Sequence, residues 1–321
     1  MNFYIGIDLG GTKTSIGLFD EKGNLISKDK FLTNQNNGHE EVFKKIITNI
    51  REIANKKNIN IENIKSIGLA IPGLVNSKNG SLKKASNFPG WENLDIEKLF
   101  RSSININTFI VHDVRAMTIA EKLYGYGREK DNFICITIGT GIGLGLFLNG
   151  KIYKGSNGLA GELSHICIDP EGLKCQCGNF GCLETLASGP AMEKIAEKEI
   201  KENANFSLKL LKTITAKDIC EAAIKGDDFS KKVVLRVGNI LGIVISNLIT
   251  ILDPSIVILS GGLVDNEDLL LNIIKNEVKK RPYIQENIIN RIVRSKLSGD
   301  AVLIGAMEFG KLSLKEEFRN G

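Results

Sequence analysis

His165, Cys175, Cys177 and Cys182 fall within eighteen residues, flanked by Glu162 and Glu184 and interleaved with glycines suited to tight turns. Three thiolates and one imidazole are the donor set of a closed tetrahedral Zn²⁺ site. Carboxylates are the wrong partners for such a site, so the two glutamates point to a different ligand. A polar molecule such as a sugar suits them. The alternative is a set of unrelated reduced cysteines.

Three glycine turns carry a second kind of chemistry: Gly10-Gly11-Thr12, Gly139-Thr140-Gly141 and Gly261-Gly262. Glycine lets a backbone approach a ligand closely and aim N–H groups at it, and threonine hydroxyls add donors. Such turns suit the oxygens of a nucleotide polyphosphate. Thr12 stands where a Walker A lysine would be, and a β run follows the turn, so neither the P-loop nor the dinucleotide fingerprint applies. Lys13 is counted with the first turn, although its side chain reads as solvated. Asp8, just before that turn, would repel phosphate unless a cation lay between them. It is therefore assigned to Mg²⁺, through water; a strand-end aspartate capping the turn is the structural alternative.

The elements that must position these groups follow from periodicity. Residues 6–19 and 135–147 share one form, a β run, a glycine turn and a second β run, roughly 130 residues apart. Both are predicted to be antiparallel hairpins, and the repeat suggests a duplicated fold with one glycine turn per lobe. Residues 40–57 read as an amphipathic helix, 64–70 and 108–111 as strands, and 114–124 as a helix after Asp113. Helices are predicted over 188–201, 216–225, 229–252 and 300–312, with a buried strand at 256–259. The expected organisation is two α/β lobes, 1–112 plus about 301–321 and 113–300. Cys135, Cys167 and Cys220 lie in apolar runs and are expected in the core.

The chain has 321 residues, 42% hydrophobic and 25% charged, with 42 basic and 37 acidic side chains. Those are ordinary values for a soluble globular protein. The lysine pairs are scattered and no aromatics interleave with them, which argues against nucleic acid as a partner. Residues 3–7 read as a strand without the basic start of a signal peptide, and the apolar stretch 240–252 is interrupted by Gly242, Ser246, Asn247 and Thr250. No membrane association is expected, and reduced thiols fit a cytoplasmic protein.

Taken together, Asp8-Leu-Gly-Gly-Thr12, Ile71-Pro-Gly73, Asn87-Phe-Pro-Gly-Trp91, Asp113, Gly139-Thr-Gly141, Gly161-Glu-x-x-His165 and Cys175-x-Cys-Gly-x-x-Gly-Cys-Leu-Glu184 resemble the ROK family of bacterial sugar kinases and repressors. The resemblance runs from residue 3 to about residue 310. It implies a two-lobed α/β fold of the actin-like ATPase (ribonuclease H-like) type, with the active site in an interdomain cleft. It implies transfer of the ATP γ-phosphate to a hexose 6-hydroxyl, with glucose first and N-acetylmannosamine or fructose as alternatives. A sugar-sensing regulator without turnover is the reading of another class. By resemblance Asp113 matches the catalytic base, Asn87, Glu162, His165 and Glu184 the sugar ligands, and His165 with the three cysteines the zinc set. On its own Asp113 would equally read as a helix N-cap. The resemblance also implies a homodimer. Repressors of the family carry an added N-terminal DNA-binding domain, for which the strand at residue 3 leaves no room, so the kinase branch is expected.

Two positions depart from the family pattern. His112 stands where asparagine usually precedes the catalytic aspartate, and Ser164 replaces a glycine before the zinc histidine. Both adjoin the predicted sugar site, where His112 is counted among the ligands. Trp91 is expected to anchor the loop that carries Asn87.

Overall fold

The computed structural model describes all residues except 77, 78, 86, 87, 203–207, 209, 210, 212, 266, 267, 282, 284, 285 and 316–321. The chain divides into two compact units, Met1–Arg128 with Lys151–Ala160 and Asp300–Gly321, and Glu129–Gly150 with Gly161–Gly299. Asp113 and its helix thus cluster with the first unit, not with the second as the sequence reading had it.

The first unit begins with strands β1 (Phe3–Leu9), β2 (Lys13–Asp20) and β3 (Leu25–Leu32), then helix α1 (His39–Lys56) and strand β4 (Ile64–Ile71). Short strands β5 (Leu74–Asn76), β6 (Ser81–Lys84) and β7 (Glu92–Asp95) form a small separate sheet. Helix α2 (Ile96–Ile104), strand β8 (Asn107–His112) and helix α3 (Asp113–Tyr124) follow. The main sheet has the order β3-β2-β1-β4-β8, antiparallel across β1, β2 and β3 and parallel from β1 through β4 to β8. Strands β1, β4 and β8 are apolar nearly throughout because helices cover them. On α1 the residues Val42, Phe43, Ile46, Ile50 and Ile53 recur at helical spacing and enter the core with Ile5, Ile7 and Leu69.

The second unit repeats the plan. Its strands β9 (Phe133–Ile138) and β10 (Ile142–Leu148) form a hairpin; the two-residue β11 (Lys151–Ile152), grouped with the first unit, is the edge strand of the same hydrogen-bonded sheet. Helices α4 (Leu183–Ala187), α5 (Gly189–Glu202), α6 (Ala216–Ile224) and α7 (Asp228–Leu252) precede β12 (Val257–Ser260), α8 (Asp268–Lys279) and β13 (Ile292–Arg294). Strand order is β11-β10-β9-β12-β13, with β9, β12 and β13 parallel. Numbered in chain order within each sheet, both read 3-2-1-4-5. The repeated glycine hairpins at 6–19 and 135–147 are therefore the matching first two strands of each sheet.

Helix α9 (Ala301–Ser313) closes the chain against β1, β4 and α3. It lies so close to β4 that a Cβ on Gly68 would overlap the Ala306 carbonyl. Helix α7 is long and apolar enough, by length and composition, to cross a membrane. Within its unit it packs with α6 and α8 and buries Val233, Val237, Leu241, Val244 and Ile249, as a core helix does.

Candidate active site

In the first unit the parallel strands end together. Asp8 lies one residue from the end of β1, beside Ala70 of β4, and Ile71 is in register with His112, the last residue of β8. Carboxyl ends of parallel strands are where open α/β sheets bind ligands, because chain turns and helix N-termini gather there. Asp113 opens α3, and its Oδ1 accepts the Val114 N–H at 2.8 Å. The positive end of the helix dipole favours an anion at this position. Burial, and next the Asp113 carboxylate, push the Asp8 carboxyl up to about 7, against the opposing pull of Lys30 and Lys28. Lys28 in turn is ion-paired to Asp300 at the start of α9.

The first glycine turn is closed by a Gly10 N–H to Lys13 carbonyl bond of 3.1 Å. Thr33 pins it from the end of β3. Its hydroxyl bonds the Gly10 carbonyl at 2.7 Å and lies 2.9 Å from the Thr14 hydroxyl, and its N–H meets the Thr12 carbonyl. Thr12 and Lys13 are exposed at the tip. Thr33 escaped the sequence reading because nothing local marks a threonine after an exposed strand as a turn support.

In the second unit two of the predicted turns come together. A Cβ on Gly139 would have the Gly262 nitrogen 3.7 Å away, and the Leu263 N–H bonds the Ile138 carbonyl. Asp265 braces the second turn by accepting from the Ser260 hydroxyl and the Gly261 N–H, each at 3.1 Å. Its carboxyl is raised by burial, against those two donors and Arg294. Sequence reading passed over Asp265.

Glu184, the second residue of α4, lies against the tip of the β9–β10 hairpin. A Cβ on Gly141 would meet its Oε2 at 2.9 Å, so glycine is what gives the carboxylate room. Burial raises the Glu184 carboxyl, while the His165 ring and the Ile142 N–H hold it down and Glu162 adds repulsion. Glu162, Glu184 and His165 thus form one electrostatic group. The strand β10 steadies its entrance, since the Leu144 N–H bonds the Gly161 carbonyl at 3.3 Å.

The four metal-type donors converge as their spacing predicts. One ligand atom from each of His165, Cys175, Cys177 and Cys182 lies within 4.8 Å of the others. Cys177 and Cys182 sulfurs are 3.7 Å apart, and Cys175 Sγ is 3.8 Å from His165 Nδ1. A tetrahedron with Zn–S of about 2.3 Å and Zn–N of about 2.0–2.1 Å has edges of roughly 3.6–3.8 Å. Two of the donor pairs have that separation, and all four donors lie close enough together to be candidates for holding one metal ion. Burial, then the neighbouring thiols, push the Cys182 thiol up to about 12, which is the electrostatic penalty a divalent cation would reverse.

Some expectations are corrected or fall elsewhere. Cys167 is exposed, not core, because the apolar run 166–168 lies at the surface of the thiol loop, whereas Cys135 and Cys220 are buried. Asn87 lies outside the described residues. Trp91 is buried against Phe43, Phe88 and His39, as a packing anchor. Ser164 is buried in the short turn that ends at His165.

A duplicated α/β sheet of this order, with glycine hairpins and a thiol-rich loop, defines a protein of the actin–hexokinase superfamily fold. The chain belongs to the ROK family, which matches residues 4–311. It is 32% identical over 308 residues to a glucokinase of Thermotoga maritima, covering 94% of this chain and 95% of that protein. A Streptomyces griseus ROK glucokinase crystallised with glucose and AMPPNP superposes with a TM-score of 0.85 at 29% identity, covering 97% of this chain and 100% of that one.

The similarity extends beyond kinases. The chain is also 27% identical over 314 residues to the DNA-binding transcriptional dual regulator NagC of Escherichia coli, covering 98% of this chain and 76% of NagC. The exclusion of nucleic acid made from the scattered lysines is overturned by this relationship. Charge distribution in a domain shared by kinases and DNA-binding regulators does not separate the two.

Proposed function

We propose that the protein is an ATP-dependent sugar kinase of the cytoplasm that phosphorylates the 6-hydroxyl of a hexose, with glucose the preferred acceptor. The observation that carries this reading is Asp113, a carboxylate at the carboxyl end of β8 and the first turn of α3. Support also comes from the similarity to glucokinases over nearly the whole chain.

A sugar hydroxyl is a poor nucleophile, and phosphoryl transfer depends on positioning and charge neutralisation. Asp113 accepts the proton of the attacking hydroxyl, a contribution of about 10²–10⁴-fold in comparable enzymes. Glu162 and Glu184 accept hydrogen bonds from the remaining hydroxyls, and a grip lost in a water-free site is costly. His165 turns Nδ1 toward the thiols and so keeps Nε2 for the sugar. Backbone N–H groups of the turns at Gly10–Thr12, Gly139–Gly141 and Gly261–Gly262 cradle the phosphates. Asp8, raised toward 7 as long as no cation offsets its neighbours, would hold Mg²⁺. That ion supplies neutralisation of phosphate charge. Zinc on His165 and the three cysteines would fix the loop that ends in Glu184.

The test is ADP release against glucose, mannose, fructose, N-acetylmannosamine and N-acetylglucosamine. Glucose should give the highest kcat/KM, and turnover with none of the five would remove the kinase reading. Near-normal activity in Asp113→Asn would remove Asp113 as the base. A second reading, a sugar-responsive regulator, draws on the NagC similarity. It predicts sugar binding without turnover, which the same panel run alongside calorimetry distinguishes.

A further inference from the structure

Both contacts of the Asp113 carboxylate fall on one oxygen. Oδ1 accepts the Val114 N–H at 2.8 Å and also lies 3.1 Å from Nδ1 of His112. Among the described residues Oδ2 has no hydrogen-bond partner. The ring is the more buried of the two side chains, 13% exposed against 31% for the carboxylate. Its Cα is fixed by strand pairing, His112 being the last residue of β8 and in register with Ile71 of β4. A largely covered ring on a strand end is a rigid support, of the kind that holds a reacting group in a productive orientation.

We propose that His112 is a positioning residue for Asp113, its Nδ1–H fixing Oδ1 beside the Val114 N–H and leaving Oδ2 to receive the proton of the attacking hydroxyl. This rests on the kinase reading above and deepens it. It also reassigns His112, which the sequence placed among the sugar ligands. In the step itself the sugar oxygen forms its bond to the γ-phosphorus. The bond from that phosphorus to the bridging oxygen breaks, and its electron pair leaves on ADP. The hydroxyl proton passes to Asp113 Oδ2. An anchored Oδ1 confines the carboxylate to one rotamer, so that Oδ2 alone faces the acceptor. A free carboxylate would share its time among orientations, which is a loss in kcat and not in ground-state binding.

The experiment is steady-state kinetics on the full chain, wild type, His112→Ala, His112→Asn, Asp113→Asn and the double variant His112→Ala/Asp113→Asn. His112→Ala should lower kcat about ten- to a hundredfold with the sugar KM changed by less than about threefold. His112→Asn keeps a donor at this position and should recover most of that loss. In the Asp113→Asn background His112→Ala should have no further effect, since nothing remains to be oriented. A rise in sugar KM at unchanged kcat would make the ring a sugar ligand and overturn the proposal. An equal loss in both backgrounds would overturn it too. Should the alanine variant fail to fold, His112→Gln, closer in volume, takes its place in the same two comparisons. Wild-type protein without turnover on any sugar would remove the kinase reading instead, a result distinct from an inert His112.

Discussion

Without metal, the thiol loop crowds three sulfurs and a ring nitrogen into a space 4.8 Å across. The Cys177–Cys182 and Cys175–His165 separations, 3.7 and 3.8 Å, are close to the edge lengths of a zinc tetrahedron. The loop backbone is held independently, by the Cys175 N–H on the Asn179 carbonyl at 2.7 Å and the Ile168 N–H on the Gly181 carbonyl at 2.8 Å. Metal removal should therefore loosen the loop without unfolding the protein. The Cys182 thiol is pushed up to about 12 by burial and its neighbours, so at pH 7 it keeps its proton. Burial also acts on Cys177, but the Asn179 N–H and the adjacent thiols outweigh it and hold that thiol below the ordinary range. Zinc requires thiolates, so binding one ion should release at least the Cys182 proton, about one per ion or more. Calorimetric titration of chelator-stripped protein in buffers of different ionisation enthalpy counts them directly. Metal analysis should find about one zinc per chain, falling to near none in Cys182→Ser. Fewer than about one proton released, or full zinc retention in that variant, would refute the four-ligand site.

Asp8→Asn should stabilise the metal-free protein at pH 8 by up to about 4 kcal/mol, since a carboxyl raised to about 7 on folding costs stability once it ionises. The sign is definite: the penalty is absent below the unfolded value near 4, grows as pH rises, and is complete above 7. Thermal melts at pH 5 and pH 8 check it, with a clearly smaller gain expected at the lower pH. Gly141→Ala puts a methyl 2.9 Å from Glu184 Oε2 and should raise the sugar KM about tenfold with little change in melting temperature. Arg115→Met removes a buried guanidinium that bonds the Gly158 carbonyl at 2.6 Å and reaches that of Ala160 at 3.4 Å. Urea unfolding should record a loss of about 1–3 kcal/mol.

Many of the elements buried on both faces or carrying a strong apolar stripe were legible along the chain. The β1–β2 and β9–β10 hairpins, β4, β12, α1 and α7 all appear within a residue or two of where periodicity puts them. Strand β3 was not anticipated, because its sequence LISKDKFL leaves much of its surface exposed and carries little apolar signal. The three- and four-residue strands β5, β6 and β7 pair with one another in a register that no local pattern encodes. Helices α2 and α8 were missed despite clear amphipathic faces, with Ile96 and Phe100 buried on one and Leu270, Leu271, Ile274 and Val278 on the other.

What the sequence by itself determined are the groups that lie close together along the chain. The four metal donors span eighteen residues, and each glycine turn is contiguous, so chain connectivity alone nearly guarantees their proximity. The family membership rests on the same local motifs. Only the tertiary structure set the Asp113 carboxylate against Asp8, more than a hundred residues earlier, through parallel pairing of β1, β4 and β8. It alone put Thr33 under the first turn and Gly262 beside Gly139, and laid Glu184 against Gly141. Parallel strands join residues separated by whole helices, and the register that does so is written in packing, not in spacing.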